Sequence, residues 1–105
     1  MKHFEVSTEF IQAINTHNQN KLILIDGILL CLIKQHNNGI YLSNKELATL
    51  LICNPSTIQR SIDKLVEADL VIKEISYVHS APRRHLIINT EIINKFINAE
   101  SEYNV

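Results

Sequence analysis

Apolar residues recur with a helical period on both sides of a short break at Cys53-Asn54-Pro55. After the break they stand at i, i+4, i+7 and i+8, a spacing that predicts one buried stripe on a helix. The stripe consists of Ile58, Ile62, Leu65 and Val66. Asn54 followed by Pro55 is typical of an N-cap and a first helical residue. Residues 43–70 therefore predict a helix, a tight turn and a second helix over residues 55–69.

Helical patterns also occur before and after this stretch. Ser7 precedes an amphipathic segment that ends near residue 17, and Thr90 precedes another that ends near residue 100. Between Ser7 and the break, residues 22–35 are apolar on nearly all sides, as expected for a buried central helix. Asp26-Gly27 is a strong turn signal within that segment, so a hairpin is the alternative. We favour the helix because the residues around Asp26-Gly27 do not alternate.

Turn residues and caps connect the central helix to the next one. Asn37-Asn38-Gly39 ends the central helix, with Gly39 expected in the left-handed position of a C-cap. Residues 40–42 then form a short extended piece. Ser43, with Glu46 three residues later, predicts a capping box at the start of the following helix.

The pattern changes after Leu70. Residues 71–78 are rich in β-branched side chains, Ser80–Arg83 interrupts them, and residues 84–89 resume the pattern. This order predicts a β-hairpin in which Pro82 lies in the loop, where no ladder donor is needed. The fold class predicted from all segments is mainly α with a small β-hairpin (α+β).

Size and composition limit the architecture to one domain. The chain has 105 residues, of which 46% are hydrophobic, enough for one compact core. We expect a single domain over residues 1–105, with a core at 22–89 and flanking helices at about 7–17 and 90–100. Those flanking helices carry apolar faces that either pack on each other or form a homodimer interface, and we favour the homodimer.

The charge distribution is more informative than the total charge. The formal net charge is -1, so contact with a nucleic acid requires a local basic patch. Cys31 and Cys53 both stand in apolar runs and predict buried thiols in a reducing compartment. The start of the chain lacks the apolar stretch of a secretory signal, and no run reaches the roughly 20 residues of a bilayer span. We expect a soluble, cytoplasmic protein with no membrane association.

No pattern of catalytic or cofactor-binding residues can be assembled from the sequence. It lacks a Gly-rich phosphate loop, a nucleophile with a placed histidine, and a metal-ligand cluster. His79 and His85 are expected to lie near each other across the hairpin, in a structural or phosphate-facing role. We therefore predict no enzyme activity, no catalytic residue, no cofactor, no metal and no small-molecule substrate.

The motifs resemble those of the winged helix-turn-helix superfamily over about residues 22–89. In that family an alanine in the first helix of the motif packs against aliphatic residues of the recognition helix, and Ala48, Ile58 and Ile62 match those positions. The runs Ser56 to Arg60 and Leu65 to Val71 are similar to modules of plasmid and phage replication initiators and replisome organisers. Many small transcriptional regulators share these features. The resemblance implies a winged helix-turn-helix fold and DNA binding.

Two positions depart from the family pattern. Ile52 stands where the turn between the helices usually has glycine. A β-branched residue resists positive φ, so either the turn is built differently or the strained position has moved to Cys53 or Asn54. Asp69 stands where a glycine commonly precedes the wing, and an Asx residue tolerates that conformation.

The expected function is DNA binding, with the recognition helix 55–69 in the major groove and the wing 71–89 on the backbone or in the minor groove. All the arginines of the chain lie on these two elements. The candidate DNA contacts are Ser56, Thr57, Gln59, Arg60, Lys64, Arg83 and Arg84, the last two expected at the wing tip. The expected partner is double-stranded DNA, in replication or transcription control of a plasmid, phage or other mobile element. The alternatives are a single-stranded DNA binder and a winged-helix protein-interaction module.

Overall fold

The computed structural model describes residues 4–19 and 21–103. Within these residues the chain forms helices and one antiparallel hairpin, in the order predicted. The elements are α1 (Thr8–His17), α2 (Leu24–Lys34), α3 (Asn44–Leu51), α4 (Pro55–Glu67), β1 (Val71–Val78), β2 (Ala81–Ile88) and α5 (Thr90–Tyr103). The α+β class and the winged helix-turn-helix architecture are confirmed.

Helix α2 is the centre of the core. It runs without a break through Asp26-Gly27, so the alternative of a hairpin there is wrong. Gly27 allows α1 to approach α2 closely, because a Cβ at this position would lie 2.5 Å from Ile11 Cδ1. Helix α4 and strand β2 pack directly against α2, and the buried apolar residues of the other helices belong to the same core cluster. The fully buried side chains include Ile14, Leu29, Leu30, Leu32, Ile33, Leu47, Ile58, Ile62, Leu65, Leu70 and Leu86.

The end of α2 differs from the prediction. The helix ends at Lys34, and its C-cap is Gln35 in a right-handed conformation. Gly39 does have a positive φ of 80°. Its N–H donates to the carbonyl of His36 at 2.8 Å, which closes a separate turn beyond the helix. The prediction that Gly39 supplies the C-cap is therefore wrong, although the left-handed conformation is present.

The start of α3 is the predicted capping box. Ser43 Oγ accepts from the Glu46 N–H at 3.1 Å, and Glu46 Oε1 accepts from the Ser43 N–H at 3.0 Å. The bond from the Ser43 N–H, followed by a contribution from the Ser43 side chain, favours the ionised carboxylate and lowers the pKa of Glu46.

The turn between α3 and α4 places Ile52 itself in the left-handed region, with φ 58° and ψ 56°. Both expectations for this turn, a different construction or a shift of the strained position to Cys53 or Asn54, are therefore wrong. Asn54 is the extended N-cap residue and Pro55 is the first helical residue, as predicted, but the Asn54 side chain makes no capping hydrogen bond. Asp69 has φ 60°, as expected for an Asx residue at that position. Helix α4 ends at Glu67, two residues earlier than predicted.

The second strand of the wing starts earlier and the turn is tighter than the sequence indicated. The turn consists of His79 and Ser80, with φ 51° and 66°, and two positive φ angles are typical of a type I′ hairpin. Strand β2 therefore starts at Ala81, and Pro82 lies in the strand opposite Tyr77 rather than in the loop.

This register moves the charged residues of the wing away from its tip. Arg83 lies opposite Ser76 and Arg84 opposite Ile75, so the prediction that these arginines occupy the wing tip is wrong. His85 lies opposite Glu74 and not next to His79, which corrects the expected histidine pair. A single antiparallel bridge between Ile40 and Leu86 attaches the other edge of β2 to the core.

Helices α1 and α5 pack against each other within one chain. Ile14 and Ile93 are buried there, and the His17 ring stacks on Phe96 with centroids 6.1 Å apart. The apolar faces on which the homodimer was predicted are thus used inside the monomer. Cys31 is buried, whereas Cys53 is only half-buried. In the described part of the chain, no helix is both long and apolar enough for a membrane span.

Candidate nucleic-acid interface

The outer face of α4 carries four of the predicted contacts. Because Ile58 and Ile62 are fixed in the core, the side chains at 56, 57, 59 and 60 lie on the other side of the helix. Ser56 and Arg60 are exposed, and Thr57 and Gln59 are half-buried. This face therefore presents hydroxyl, amide and guanidinium groups at the N-terminal half of the helix.

A buried polar cluster fixes α4 against α2, and sequence reasoning missed it. Asp26, only 2% exposed, accepts from Ser61 Oγ at 2.6 Å and from Lys64 Nζ at 2.8 Å. It also accepts from the Ile23 N–H at 2.9 Å. An ionised aspartate with several donors is a strong anchor for the helices that carry them. The available signal was an acidic residue in the first turn of an otherwise apolar helix.

The same cluster limits the role of Lys64. Its ammonium group is paired with Asp26, and its side chain is 32% exposed. It also lies 3.4 Å from the carbonyl oxygen of Lys21. The positive charge at Lys64 is therefore partly neutralised from inside the protein.

Arg84 is bound to the protein rather than extended into solvent. Its Nη1 donates to Asn44 Oδ1 at 2.5 Å, and its Nη2 donates to the Leu42 carbonyl at 2.8 Å. Burial lowers the pKa of Arg84, but an arginine so far above neutrality stays charged. The side chain thus connects β2 to the start of α3.

Arg83 points to the other face of the strand and rests on Tyr41. Its guanidinium carbon lies 4.0 Å from the centroid of the Tyr41 ring, a cation–π contact. The His85 ring stacks on the same tyrosine, with centroids 4.3 Å apart and planes 4° from parallel. Tyr41 thus contacts both Arg83 and His85 and holds Arg83 in place. Arg83 itself remains exposed.

Two grooves border α4. A groove of about 580 Å³ separates the wing from the N-termini of α3 and α4. We call it the wing groove; it is lined by Tyr41, Leu42, Ser43, Asn44, Lys45, Pro55, Ile75, Pro82, Arg83 and Arg84. The second groove, of about 430 Å³, has mixed charges. It is lined by Gln19, Lys21, Arg60, Asp63, Lys64 and Glu67.

The structure thus places Ser56, Thr57, Gln59 and Arg60 together on one helix face, with Arg83 beside its N-terminal end. Lys64 and Arg84 differ from these residues because their charged groups are bound to partners inside the protein. Among the residues that the structure describes, no group of three histidine, cysteine, aspartate or glutamate side chains could hold a metal ion.

A short helix, a turn with one left-handed residue, an exposed polar second helix and a hairpin beside it make up the winged helix-turn-helix architecture. Residues 26–71 match the family model described as a helix-turn-helix domain. The whole fold is similar to that of a possible transcriptional regulator from Methanosarcina mazei Go1. The match has a TM-score of 0.63 at 15% sequence identity and covers 98% of this chain and 92% of that protein. No curated protein matches the chain significantly.

Proposed function

We propose that the chain binds double-stranded DNA with sequence preference and regulates transcription. In this proposal α4 enters the major groove and the wing lies along the backbone or in the minor groove. The observation that carries it is the polar face of α4, whose first residue, Pro55, lines the same groove as the exposed Arg83. The description of the similar structure as a possible transcriptional regulator favours transcription over replication.

The side chains on α4 match the chemistry of base edges. The major groove of B-DNA is about 12 Å wide and admits one helix. Arginine pairs with guanine and glutamine with adenine in that groove, so Arg60 and Gln59 are the base-reading candidates. Ser56 and Thr57 stand near the helix N-terminus, where hydroxyl and N–H groups suit a phosphate.

The charge balance predicts a binder that depends on base contacts. The formal net charge is -1, and Asp63 and Glu67 lie beside Arg60 on the same groove. Affinity for any duplex comes mainly from neutralised phosphates, so this chain should bind unrelated duplexes weakly. A second copy on a neighbouring half-site would raise the affinity. The faces once expected to join two copies are occupied by the contact of α1 with α5, so we do not propose a homodimer through them.

The first experiment selects preferred sites from a random duplex pool and measures binding by fluorescence anisotropy across a salt series. The selected duplex, a scrambled duplex and the corresponding single strands are compared. Arg60→Ala should reduce the preference for the selected over the scrambled duplex. Arg83→Ala should weaken binding to both duplexes and lower the salt slope by about 0.9.

Each alternative gives a different result in the same assay. Equal or tighter binding to single strands would assign the protein to single-stranded DNA. Absence of binding to every DNA at high micromolar concentration and low salt would indicate a protein-interaction module.

A further inference from the structure

A continuous chain of hydrogen bonds runs from the wing to the exposed face of α4. Arg84 Nη1 donates to Asn44 Oδ1 at 2.5 Å. Asn44 Nδ2 donates to Gln59 Oε1 at 2.7 Å. Gln59 Nε2 in turn donates to Asp63 Oδ1 at 2.9 Å. The chain therefore connects β2, the first residue of α3 and two turns of α4.

The residues at the two ends determine the direction of every bond between them. Arginine can only donate hydrogen bonds, and an ionised aspartate can only accept them. Asn44 must therefore turn its oxygen toward Arg84 and its amide nitrogen toward Gln59. Gln59 must then turn its oxygen toward Asn44 and its nitrogen toward Asp63. The Gln59 amide has one favoured orientation in the free protein.

The amide of Gln59 keeps the capacity to read a base while it is held this way. Its oxygen has a second lone pair and its nitrogen has a second N–H. Adenine presents a donor, N6–H₂, next to an acceptor, N7, in the major groove, and a glutamine amide pairs with both. A side chain that is already oriented loses less conformational freedom on binding than a free one.

We propose that Arg84 and Asn44 are positioning residues that preset the Gln59 amide to read an adenine in the major groove. Arg84 acts through Asn44, because its half-buried guanidinium is held by the bonds to Asn44 and to the Leu42 carbonyl, and the phosphate contact is assigned to the exposed Arg83. Arg83, its neighbour on the opposite face of β2, keeps the phosphate role. This inference rests on the proposed function and names one base that α4 recognises.

The test uses the duplex selected by the wild-type protein and scans each position with all base pairs. Asn44→Ala should lower the preference for A·T at one position about tenfold. Its salt slope should stay at the wild-type value because no charge is removed. The matched control Arg83→Gln should show the opposite behaviour, with base preference kept and the slope lowered by about 0.9.

Two substitutions at Arg84 separate positioning from phosphate binding. Arg84→Gln should lose the same A·T preference as Asn44→Ala, with a smaller change in salt slope than Arg83→Gln. Arg84→Lys, which keeps a charged donor, should restore part of the preference. Thermal unfolding followed by circular dichroism checks each variant, and Asn44→Ala removes only a half-buried side chain, so it serves if Arg84→Gln does not fold.

Three results would overturn the inference. The first is a wild-type site without any adenine preference. The second is unchanged base preference in Asn44→Ala, and the third is a salt slope for Arg84→Gln as low as that of Arg83→Gln. If the wild-type protein selects no duplex at all, the proposed function itself fails, and that outcome is distinct from these three.

Discussion

Replacing Asp26 by alanine should destabilise the protein more than any other single change of an acidic residue among those described. The variant leaves the Ser61 hydroxyl, 2% exposed, without its acceptor at 2.6 Å. An unpaired buried hydroxyl costs about 1–3 kcal/mol. The variant also loses the hydrogen bond from the Ile23 N–H, which caps the start of α2, at a cost of about 1 kcal/mol.

The ion pair of Lys64 with Asp26 contributes less to the stability than its distance of 2.8 Å implies. Its side chain is 32% exposed, so the released ammonium regains water, and about 1 kcal/mol is a reasonable cost. The total expected loss for Asp26→Ala is about 4 kcal/mol, a large fraction of the stability of a small domain. Urea unfolding followed by circular dichroism measures it, with the m-value as a check on two-state behaviour.

Asp63→Ala is the matched control for Asp26→Ala. Asp63 is exposed and accepts one hydrogen bond, from Gln59 at 2.9 Å, so its loss should change the stability by no more than about 0.5 kcal/mol. A double-mutant cycle of Asp26→Ala with Ser61→Ala should give a coupling energy above about 1 kcal/mol. A loss for Asp26→Ala no greater than for the control, or a coupling near zero, would refute the assignment of Asp26 as the anchor of α4.

Three other substitutions test local features. Ile52→Asn should stabilise the protein by about 1 kcal/mol, because Ile52 is 92% exposed and held at φ 58°. The same change at the exposed strand residue Ile75 should not stabilise it. Urea midpoints compare the two variants, and a lower stability of Ile52→Asn would contradict backbone strain at Ile52. Glu46→Gln should destabilise the protein at neutral pH, and the difference from wild type should vanish as the pH falls through the lowered pKa of Glu46. A carboxylate whose pKa is lowered by folding stabilises the protein only while it is ionised. Thermal melts at several pH values measure the difference, and a pH-independent difference would exclude this explanation. Gly27→Ala should lower the free energy of unfolding by about 1–3 kcal/mol, because the new Cβ would lie 2.5 Å from Ile11 Cδ1. An unchanged melting temperature would show instead that α1 can move away from α2.

The helices could be predicted because their buried faces follow a simple period. The stripe of α4 and the capping box of Ser43 are local patterns, and the structure contains both. Contacts between distant segments leave no such pattern. Asp26 and Ser61 are 35 residues apart, and only the packing of α2 on α4 brings them together.

The wing was mispredicted for a local reason. A type I′ turn usually contains asparagine or glycine, and His79-Ser80 has neither. Pro82 then suggested a loop, although a proline is tolerated in a strand where the neighbouring edge is uncovered. The resulting shift placed Arg83 and Arg84 at the tip, whereas alternation along the strand sends one to Tyr41 and the other to Asn44.

The single bridge between Ile40 and Leu86 has a consequence for how the wing behaves before DNA arrives. Beyond this bridge the hairpin is a two-stranded ribbon, and β1 is exposed at every residue after Val71. Such a ribbon is only marginally stable in water, and its tip can open without disturbing the core. Amide hydrogens near Tyr77 should therefore exchange much faster than that of Leu86. In the free protein the base of the wing is therefore fixed and its tip can change shape, so the tip reaches its final conformation on the surface that it binds.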